Sequence, residues 1–498
     1  MGDIDILERG WSRGTEGPCF DLLASKLRRP PLRPGTVCRL PLVRRLMRDA
    51  GPVVSVAAPA GYGKTTLLAQ WAEDEGRAFA WVSLDEHDND PRVLLTYVAQ
   101  ALDAVQPVGG RVLEALASPV SSVPGSVVPR LGAAFASMTT PVVLVLDDVH
   151  VLEDRVCQAA VSVLADHVPK GSRLVLAGRG GPPVRMARLR AEGRVAEVGA
   201  AELAVSAAEA GVLLRNAGVV LGEAEVAVLH RRAEGWPAGL YLAALAIGAG
   251  GALPGAARSF GGDDRFVAEY LESEFLAKIS ARDREFLART AVLEQLSGPL
   301  CAAVLDRPGA AADLARLARS NLLLVPLDRR GRWYRCHHLF RDMLLAELDR
   351  TEPALGPALR RRAAAWYLRH GRPEQALEYS MAAGDAQQAA RLTGEPALRG
   401  LAGDAAGKRA RRPAGRGSRA PAVPSLTAAE LRVLPLLATH MSFREIAAEL
   451  FVSRNTVRSQ AISVYRKLGV SSRSQAVARS RKLGLLDPDD RLLSAGQG

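Results

Sequence analysis

The sequence predicts an α/β domain with a parallel sheet, followed by all-helical domains and a small, basic helical module. The length of 498 residues fits about three domains at roughly 150 residues each. Short apolar runs alternate with helical patterns from 53 to about 200, and an Ala-, Leu- and Arg-rich helical periodicity replaces the strand signals from about 205 to 390. The net charge of +12 is concentrated in the last fifth of the chain.

Four apolar runs predict the strands of the sheet. They cover Val53–Ala57, Phe79–Leu84, Val142–Leu146 and Leu174–Ala177. Apart from Ser55 and Ser83, the runs are apolar and do not alternate with polar residues, so both faces of the sheet are expected to be buried, which is typical of a parallel sheet. Residues 1–25, before the sheet, show no periodicity and are expected to form a disordered arm.

A loop suited to phosphate follows the first of these strands. Glycines let backbone N–H groups curl around a phosphate, a lysine binds the β- and γ-phosphate oxygens, a hydroxyl holds Mg²⁺, and the N-terminus of the next helix favours anions. The segment from Ala58 supplies these in order, with Ala58 itself standing where the strict pattern has glycine. We therefore predict a P-loop nucleoside triphosphatase (NTPase) domain over 26–200. Its predicted ATP or ADP ligands are Gly61, Tyr62, Gly63, Lys64, Thr65 and Thr66, and Thr65 is also a predicted Mg²⁺ ligand.

Two further strand ends carry candidate catalytic groups. Asp147 and Asp148 follow the third apolar run, and a Mg²⁺–nucleotide site needs a carboxylate at the end of a neighbouring strand. Asp147 is the predicted Mg²⁺ residue, and Asp148 is a candidate for orienting the attacking water. Arg179, after the fourth run, is placed to sense the γ-phosphate from the carboxyl edge of the sheet. The alternative for Arg179 is an exposed, solvated arginine in an Arg-rich chain.

Two segments beyond the sheet domain carry specific motifs. Glu234–Leu240 has the sequence Glu-Gly-Trp-Pro-Ala-Gly-Leu, and Trp333–Phe340 has the sequence Trp-Tyr-Arg-Cys-His-His-Leu-Phe. Together with the phosphate loop they resemble the large ATP-binding regulators of the LuxR family, the MalT-like members of the STAND class of signalling ATPases. The resemblance covers about 26–392 and resumes at Leu426. It implies helical and winged-helix domains over 201–350.

The resemblance also implies nucleotide contacts outside the loop. In that class a Gly-x-Pro turn contacts the adenine, which corresponds here to Gly235 and Pro237. A winged-helix histidine closes over the ADP phosphates, which would be His337 in preference to His338. A hydrogen-bonded core histidine is the alternative for either. Arg39 lies in a segment that resembles the family's stretch lining the nucleotide base.

Residues 426–486 predict a module of four short helices. The Ser/Thr-x-x-Glu/Gln pattern that begins helices occurs at Thr427, Ser442 and Ser472. Pro435 inside the first helix is expected to shorten or bend it, because an interior proline costs about 3 kcal/mol. In the third helix the spacing i, i+4, i+7, i+11 predicts an inward face, made of Val457, Ala461, Val464 and Leu468.

The opposite face of that third helix is basic and follows a tight turn, which is typical of a helix-turn-helix recognition helix. Arg458 is the candidate for a guanine edge, while Ser453, Thr456 and Lys467 are better placed for phosphate contacts. The module is similar to the LuxR-type DNA-binding domain, although Gln460 stands where a histidine is common. The predicted DNA ligands are Ser453, Arg454, Asn455, Thr456, Arg458, Ser459, Ile462, Arg466 and Lys467.

The segments around this module complete the predicted organisation. Arg361–Leu392 gives about one helical hairpin, inside a remnant repeat at 351–400, where MalT-like regulators carry long helical repeats that hold the inducer site. A flexible linker at 401–425 has six Lys or Arg against one Asp, and the module has ten against three Glu. A tail follows at 487–498. This concentration of positive charge suggests an anionic polymer as partner.

Cysteine usage and hydropathy predict the compartment. The five cysteines are scattered and never form a Cys-x-x-Cys pair, which favours reduced thiols over a disulfide framework or a zinc site. No signal peptide or membrane-spanning run is recognisable. We therefore expect a cytoplasmic protein without a membrane partner.

Together these features predict an ATP-switched transcription regulator that binds double-stranded promoter DNA. RNA polymerase and, on ATP binding, a second copy of the chain are further expected partners. The protein is expected to be at most a slow ATPase that uses the nucleotide as a conformational switch, and not a metabolic enzyme. Two alternatives stay open: a P-loop phosphotransferase with an appended basic domain, and a signalling scaffold whose terminal module is an interaction surface.

Overall fold

The computed structural model describes residues 22–393, except 50, 250–255 and 321–322, together with part of the C-terminal module. In that module the described residues are 428–439, 441, 446, 457, 460–461, 464–465, 467–468, 470 and 473–482. The chain divides into two compact units, 1–407 and 408–498. Each unit has a hydrophobic core of its own.

The first unit is built on a five-stranded parallel sheet with the strand order β2-β3-β4-β1-β5. The four predicted strands are confirmed, and a fifth is added that the sequence analysis missed. That fifth strand has the sequence Val-Ala-Glu-Val-Gly, too short and too polar to register as an apolar run. The strands are β1 (Val53–Ala57), β2 (Ala78–Ser83), β3 (Val142–Asp147), β4 (Arg173–Gly178) and β5 (Val195–Gly199).

Alternate residues of each central strand enter different cores, because successive side chains of a strand point to opposite faces. In β3, Val143 and Val145 belong to one core, whereas Val142, Leu144 and Leu146 belong to the other. The first of these cores continues into the helices that follow the sheet. The sheet and the region after it therefore share one packed interior.

Helices cover both faces of the sheet and make up most of the region that follows it. The described helices of the first unit are α1 (Leu40–Arg48), α2 (Lys64–Asp74), α3 (Pro91–Asp103), α4 (Gly110–Ala117), α5 (Val128–Ala136), α6 (Arg155–Asp166), α7 (Met186–Ala191), α8 (Ala200–Leu203), α9 (Ala207–Asn216), α10 (Glu223–Ala233), α11 (Pro237–Ala249), α12 (Ala256–Ser259), α13 (Arg265–Glu274), α14 (Ala281–Thr290), α15 (Gly298–Leu305), α16 (Ala310–Arg319), α17 (His338–Thr351), α18 (Leu355–Arg369), α19 (Pro373–Ala382) and α20 (Ala386–Thr393). Among the described helices, none combines the length and the hydropathy needed to span a bilayer.

A small antiparallel sheet lies within this helical region, in the order β6-β8-β7. Its strands are β6 (Leu296–Ser297), β7 (Leu324–Pro326) and β8 (Trp333–Cys336). The expectation that strands end near 205 is therefore wrong. Strands of two to four residues are too short to produce a period-2 pattern, so the sequence analysis did not detect them.

The helices after 351 form a hairpin of α18 and α19, with α20 added to it. A single repeat cannot bury its own apolar face and needs neighbours. Here the neighbour is the preceding domain: Arg362 donates to the Val304 carbonyl at the end of α15 at 3.0 Å, and the Glu294 N–H donates to the Tyr379 hydroxyl at 2.9 Å. The remnant repeat is therefore stabilised by the helical domain instead of by further repeats.

The second unit contains two helices described along their length, Ala428–Ala438 and Arg473–Lys482. Each begins one residue after a predicted cap, although the caps Thr427 and Ser472, like Ser442, lie outside the described residues. The first helix continues past Pro435 for three residues, so the proline, which was expected to shorten or bend the helix, does not end it. The predicted inward face is confirmed, since Val457, Ala461, Val464 and Leu468 are all buried.

Candidate functional site

The loop between β1 and α2 has the backbone geometry of a phosphate loop. Gly61 and Gly63 adopt φ angles of 77° and 78°, in the left-handed region that glycine reaches without strain. Helix α2 begins directly after Gly63, at Lys64, so its unpaired N–H groups and dipole face the loop. An anion bound there is favoured by both.

Lys64 is folded back into this loop. Its ammonium donates to the carbonyls of Ala58 at 2.9 Å and Pro59 at 3.1 Å, and the residue is 7% exposed. Burial lowers the pKa of Lys64, and the nearby Asp148 and Asp147 oppose that effect. The lysine is thus a buried cation held by neutral carbonyls, an arrangement in which an anion would be a stronger partner.

Thr65 and Asp147 meet at the expected position. The Thr65 hydroxyl donates to Asp147 Oδ2 at 2.6 Å. The strand that carries Asp147 is not the neighbour of β1, as the sequence analysis assumed, because β4 lies between them. Burial, followed by the charge of Asp148, raises the pKa of Asp147 to about 6. A divalent cation bound here would offset the buried negative charge and so lower the pKa of Asp147.

Asp148 and His150 lie beside this pair. Asp148 has a φ of 61°, and its half-exposed carboxylate lies 3.6 Å from His150 Nδ1. Burial lowers the pKa of His150 to about 4, opposed by Asp148 and reinforced by Arg179, Lys64 and Lys278. His150 was not predicted from the sequence, although its place two residues after Asp148, at the carboxyl end of β3, could have identified it.

Arg179 follows β4 at the carboxyl edge of the sheet, but it is not the exposed group that the sequence suggested. Its guanidinium donates to the Glu274 backbone carbonyl at 2.6 Å and to Glu274 Oε2 at 2.5 Å. The Arg179 side chain is 22% exposed. The solvated-face alternative is therefore wrong, because the arginine joins the sheet to α13.

A cavity of about 570 Å³ opens beside the loop. Its lining is largely apolar and comes from the turn at Arg33–Thr36, Val37 and the helices α9 and α11, which suits a flat base next to a phosphate site. The lining includes Arg33, Pro34, Gly35, Thr36, Val37, Arg39, Gly61, Tyr62, Gly63, Thr66, Leu203, Val205, Asn216, Pro237, Ala238, Tyr241 and Tyr270.

Arg39 lies in this cavity wall, but its guanidinium is engaged elsewhere. It donates to the carbonyl oxygens of Glu202 at 2.7 Å and Leu203 at 3.0 Å, and it lies 3.5 Å from Glu209. The arginine thereby anchors the segment after β5 against the lead-in to α1. These contacts hold one wall of the cavity in place.

The Glu-Gly-Trp-Pro turn is docked on the phosphate loop. Trp236 Nε1 donates to the Ala60 carbonyl at 3.0 Å, and the Ala238 N–H donates to the Gly61 carbonyl at 3.1 Å. Pro237 lines the cavity, as expected for a base contact. Gly235, with a φ of 71°, lies behind it, where an added Cβ would meet the Val205 carbonyl at 2.7 Å.

His337 is one step further from the loop. It is fully buried, its Nε2 lies 3.0 Å from the Ala233 carbonyl, and its ring centre lies 5.6 Å from that of Trp236. A carbonyl accepts only, so Nε2 carries the proton, and Nδ1 has no partner among the described residues. Burial lowers the pKa of His337. His338, by contrast, is exposed and lies 3.2 Å from Glu234.

Glu234 ties the turn to the small sheet and to α17. Its carboxylate accepts hydrogen bonds from both terminal nitrogens of Arg335, at 2.7 and 2.5 Å, and from the His338 backbone N–H at 2.9 Å. Burial would raise the pKa of Glu234, but the hydrogen bonds from Arg335 and the His338 N–H, together with the charges of His337 and Arg335, outweigh it and lower that pKa. This pair was not predicted from the sequence, since its partners are 101 residues apart.

In the C-terminal module, most predicted DNA ligands lie outside the described residues. Only Lys467 is described; it is helical and half-buried. Arg473 has a structural role that was not predicted from the sequence. Its guanidinium donates to the carbonyls of Leu437 at 2.9 Å, Met441 at 2.6 Å and Thr439 at 2.9 Å. It caps the C-terminal end of the first helix. The undescribed candidates are Ser453, Arg454, Asn455, Thr456, Arg458, Ser459, Ile462 and Arg466.

Comparison with known families identifies two regions of the chain. Residues 272–355 match the MalT winged helix domain, and residues 424–480 match the luxR family of bacterial regulatory proteins. The chain is 31% identical over 371 residues to the HTH-type transcriptional regulator MalT of Serratia proteamaculans, covering 73% of this chain and 41% of that protein. MalT of Klebsiella pneumoniae is 30% identical over 371 residues, with 74% and 41% covered. The chain thus spans about two fifths of the length of these relatives.

Similarity to solved structures is lower. A STAND protein with a tetratricopeptide repeat sensor from Pyrococcus horikoshii is 15% identical with a TM-score of 0.33, covering 74% of this chain and 50% of that one. A Walker-type ATPase of Pyrococcus abyssi is 14% identical with a TM-score of 0.44, covering 62% and 96%.

Proposed function

The chain is a MalT-like protein of the LuxR family, and on that premise we propose that it is an ATP-switched, DNA-binding transcription regulator. The observation that carries the nucleotide half of the proposal is the loop at Gly61–Thr65, with Lys64 buried in it and Thr65 hydrogen-bonded to Asp147. The match of 424–480 to the luxR family supports the DNA half. Neither the phosphotransferase nor the scaffold alternative is favoured by these matches.

The residues of the first unit fit a Mg²⁺–ATP or ADP ligand. Lys64 would leave the Ala58 and Pro59 carbonyls for the β- and γ-phosphates, and the N–H groups from Gly61 to Thr66 would bind phosphate oxygens. Thr65 and Asp147 would hold the Mg²⁺, which supplies charge neutralisation when bound. Tyr62, Pro237 and Arg39 would shape the base site.

The remaining residues would distinguish the states of that ligand. Asp148 would orient a water, Arg179 would contact the third phosphate, and His337 would close over the diphosphate with Gly235 behind it. Nδ1 of His337 is buried without a hydrogen-bond partner among the described residues, and it would donate to a phosphate oxygen once the ring gains a second proton, because Nε2 already carries the first. Any turnover at this site is proposed to be slow and to serve as a switch.

For DNA, the proposed base reader is Arg458, with Arg454, Asn455, Ser459, Ile462 and Arg466 beside it. Ser453, Thr456 and Lys467 would contact phosphates. The +7 charge of the module and the +5 of the linker support binding to duplex DNA. RNA polymerase and a second, ATP-bound copy of the chain are the further partners that we propose.

Asp147→Asn is expected to separate protein stability from Mg²⁺ binding. The pKa of Asp147 is raised to about 6, so its protonated form stabilises the nucleotide-free protein below about pH 4, and that stabilisation is lost as the pH rises through 6. At pH 8 and without nucleotide, the variant should be more stable than wild type, with a free energy of unfolding about 1–3 kcal/mol higher. Its Mg²⁺-dependent gain in nucleotide affinity should disappear.

Denaturant titrations from pH 4 to pH 8 test the expected change in stability, and calorimetry with and without Mg²⁺ tests the expected loss of Mg²⁺ dependence. Asp74→Asn is the matched control, because Asp74 is exposed at the C-terminal end of α2 and its loss should leave the pH dependence of stability in place. A Mg²⁺ dependence in Asp147→Asn equal to that of wild type would remove Asp147 as the metal residue.

DNA binding is expected to fall steeply with salt, with about −0.9 in the slope of log K against log salt for each phosphate neutralised. Arg458→Ala should cost about 1–3 kcal/mol on a specific duplex and relax the preference at one base position. Replacing both Arg411 and Arg412 by alanine should weaken binding to specific and scrambled duplexes alike, since these linker arginines are proposed to contact phosphates only. Equal losses on both duplexes for Arg458→Ala would contradict its assignment as the base reader.

A further inference from the structure

Glu274, at the C-terminal end of α13, is shared between two cations. Its carboxylate Oε2 accepts from the Arg179 guanidinium at 2.5 Å and from the Lys278 ammonium at 3.0 Å. Burial would raise the pKa of Glu274, but the hydrogen bonds from Lys278 and Arg179 outweigh it and lower that pKa. One carboxylate thus holds two positive charges, which leaves an excess of one positive charge at this point.

These two cations belong to the same electrostatic environment as the phosphate loop. Arg179 and Lys278 act on His150 together with Lys64, and Arg179 also acts on Lys64 itself. Three cations from three parts of the fold, α2, the end of β4 and the short 3-10 helix Leu276–Lys278, therefore lie within electrostatic range of His150, whose Nδ1 is 3.6 Å from Asp148. The carboxylates of Asp147, Asp148 and Glu274 balance these three charges, so a phosphate would compete with them for the cations.

Helix α13 contacts both ends of this region. One turn before Glu274 on the same helix, the Tyr270 hydroxyl lies 2.9 Å from where a Cβ on Gly61 would be, and the Tyr270 ring packs on Trp236 with centres 5.6 Å apart. Tyr270 also lines the cavity. Residues i and i+4 of a helix share a face, so one face of α13 covers the phosphate loop and the end of β4.

We propose that the Glu274 carboxylate substitutes for the third phosphate of a nucleotide: it neutralises Arg179 and Lys278 when that phosphate is absent. Arg179 and Lys278 stay on Glu274 when the site holds a nucleoside diphosphate and leave it for the third phosphate of a nucleoside triphosphate. Glu274 is then without its cations, and the contact of α13 with the sheet loosens. This inference rests on the proposed nucleotide site and adds to it the residue that couples the third phosphate to the winged helix domain.

Glu274→Gln tests the exchange directly. The variant keeps the shape of the side chain and the backbone carbonyl that Arg179 uses, but it removes the charge that competes with the phosphate. With Mg²⁺ present, calorimetry should give a three- to tenfold lower Kd for a non-hydrolysable ATP analogue and an unchanged Kd for ADP. A factor of this size corresponds to about one charged hydrogen bond in a partly exposed site. Glu269→Gln, an exposed acid on the same helix, is the control and should change neither.

Hydrogen exchange on the wild-type protein tests the proposal without any variant. Amides of 265–278 should exchange faster with the ATP analogue than with ADP. Equal exchange with both nucleotides, or a Glu274→Gln variant whose ratio of the two affinities equals that of wild type, would overturn the role of Glu274. Wild-type protein that binds neither nucleotide would instead contradict the nucleotide site itself, so the two failures are distinguishable.

Discussion

Replacing Lys64 by alanine is expected to abolish nucleotide binding, with a loss of at least about 100-fold in affinity, or about 2.8 kcal/mol. Lys64 is the buried cation of the loop, and its neutral partners, the Ala58 and Pro59 carbonyls, are easily exchanged for phosphate oxygens. Removing the ammonium leaves the negative charge of the phosphates without its nearest counter-charge. Isothermal titration with ADP and with an ATP analogue measures the effect.

Lys170→Ala is the matched control for this change. Lys170 is exposed, in the loop before β4, so its loss removes the same charge at a distance from the loop. The control should bind as wild type does. An affinity of Lys64→Ala within about twofold of wild type would place the nucleotide elsewhere.

Gly61→Ala is expected to disrupt the docking of the phosphate loop on the Glu-Gly-Trp-Pro turn. A Cβ at this position would lie 2.5 Å from the Ala238 Cβ and 2.7 Å from Trp236 Nε1, on a backbone with a φ of 77°. Left-handed backbone costs a non-glycine residue about 1–2 kcal/mol, and overpacking adds about 1–3 kcal/mol. We therefore expect a loss of about 2–5 kcal/mol in the free energy of unfolding of the nucleotide-free protein.

Gly63→Ala separates the two contributions. Gly63 has nearly the same φ, 78°, but its Cβ would meet only the Thr66 Cβ at 3.9 Å. This variant should lose about 1–2 kcal/mol, from backbone strain alone. Denaturant midpoints for the two variants measure the difference, and equal losses would contradict the close packing of Gly61 against Trp236 and Ala238.

The parts of the site that the sequence predicted are those formed by neighbours along the chain. The loop from Gly61 to Thr65 combines a strand end, two glycines, a lysine and a helix start within a few residues, and the structure has each in its predicted place. The inward face of Val457, Ala461, Val464 and Leu468 was predictable for the same reason, because helical periodicity is a local property.

The contacts that join the domains were not predictable. Trp236 Nε1 and the Ala60 carbonyl are 176 residues apart, and Arg179 and Glu274 are 95 residues apart. Nothing in the local pattern around Glu274 distinguishes it from the other acids of α13. The sequence indicated that Arg179 lies at the carboxyl edge of the sheet. Only the packing of α13 on the sheet shows that Glu274 is its partner there.

The central claim is that nucleotide bound by the loop at Lys64 controls DNA binding by the C-terminal module. Genomic footprinting of the tagged, full-length protein, with wild type and Lys64→Ala expressed at equal levels, tests it most directly. We expect discrete protected sites for wild type and their loss for Lys64→Ala. The same sites, protected to the same extent in both, would contradict it.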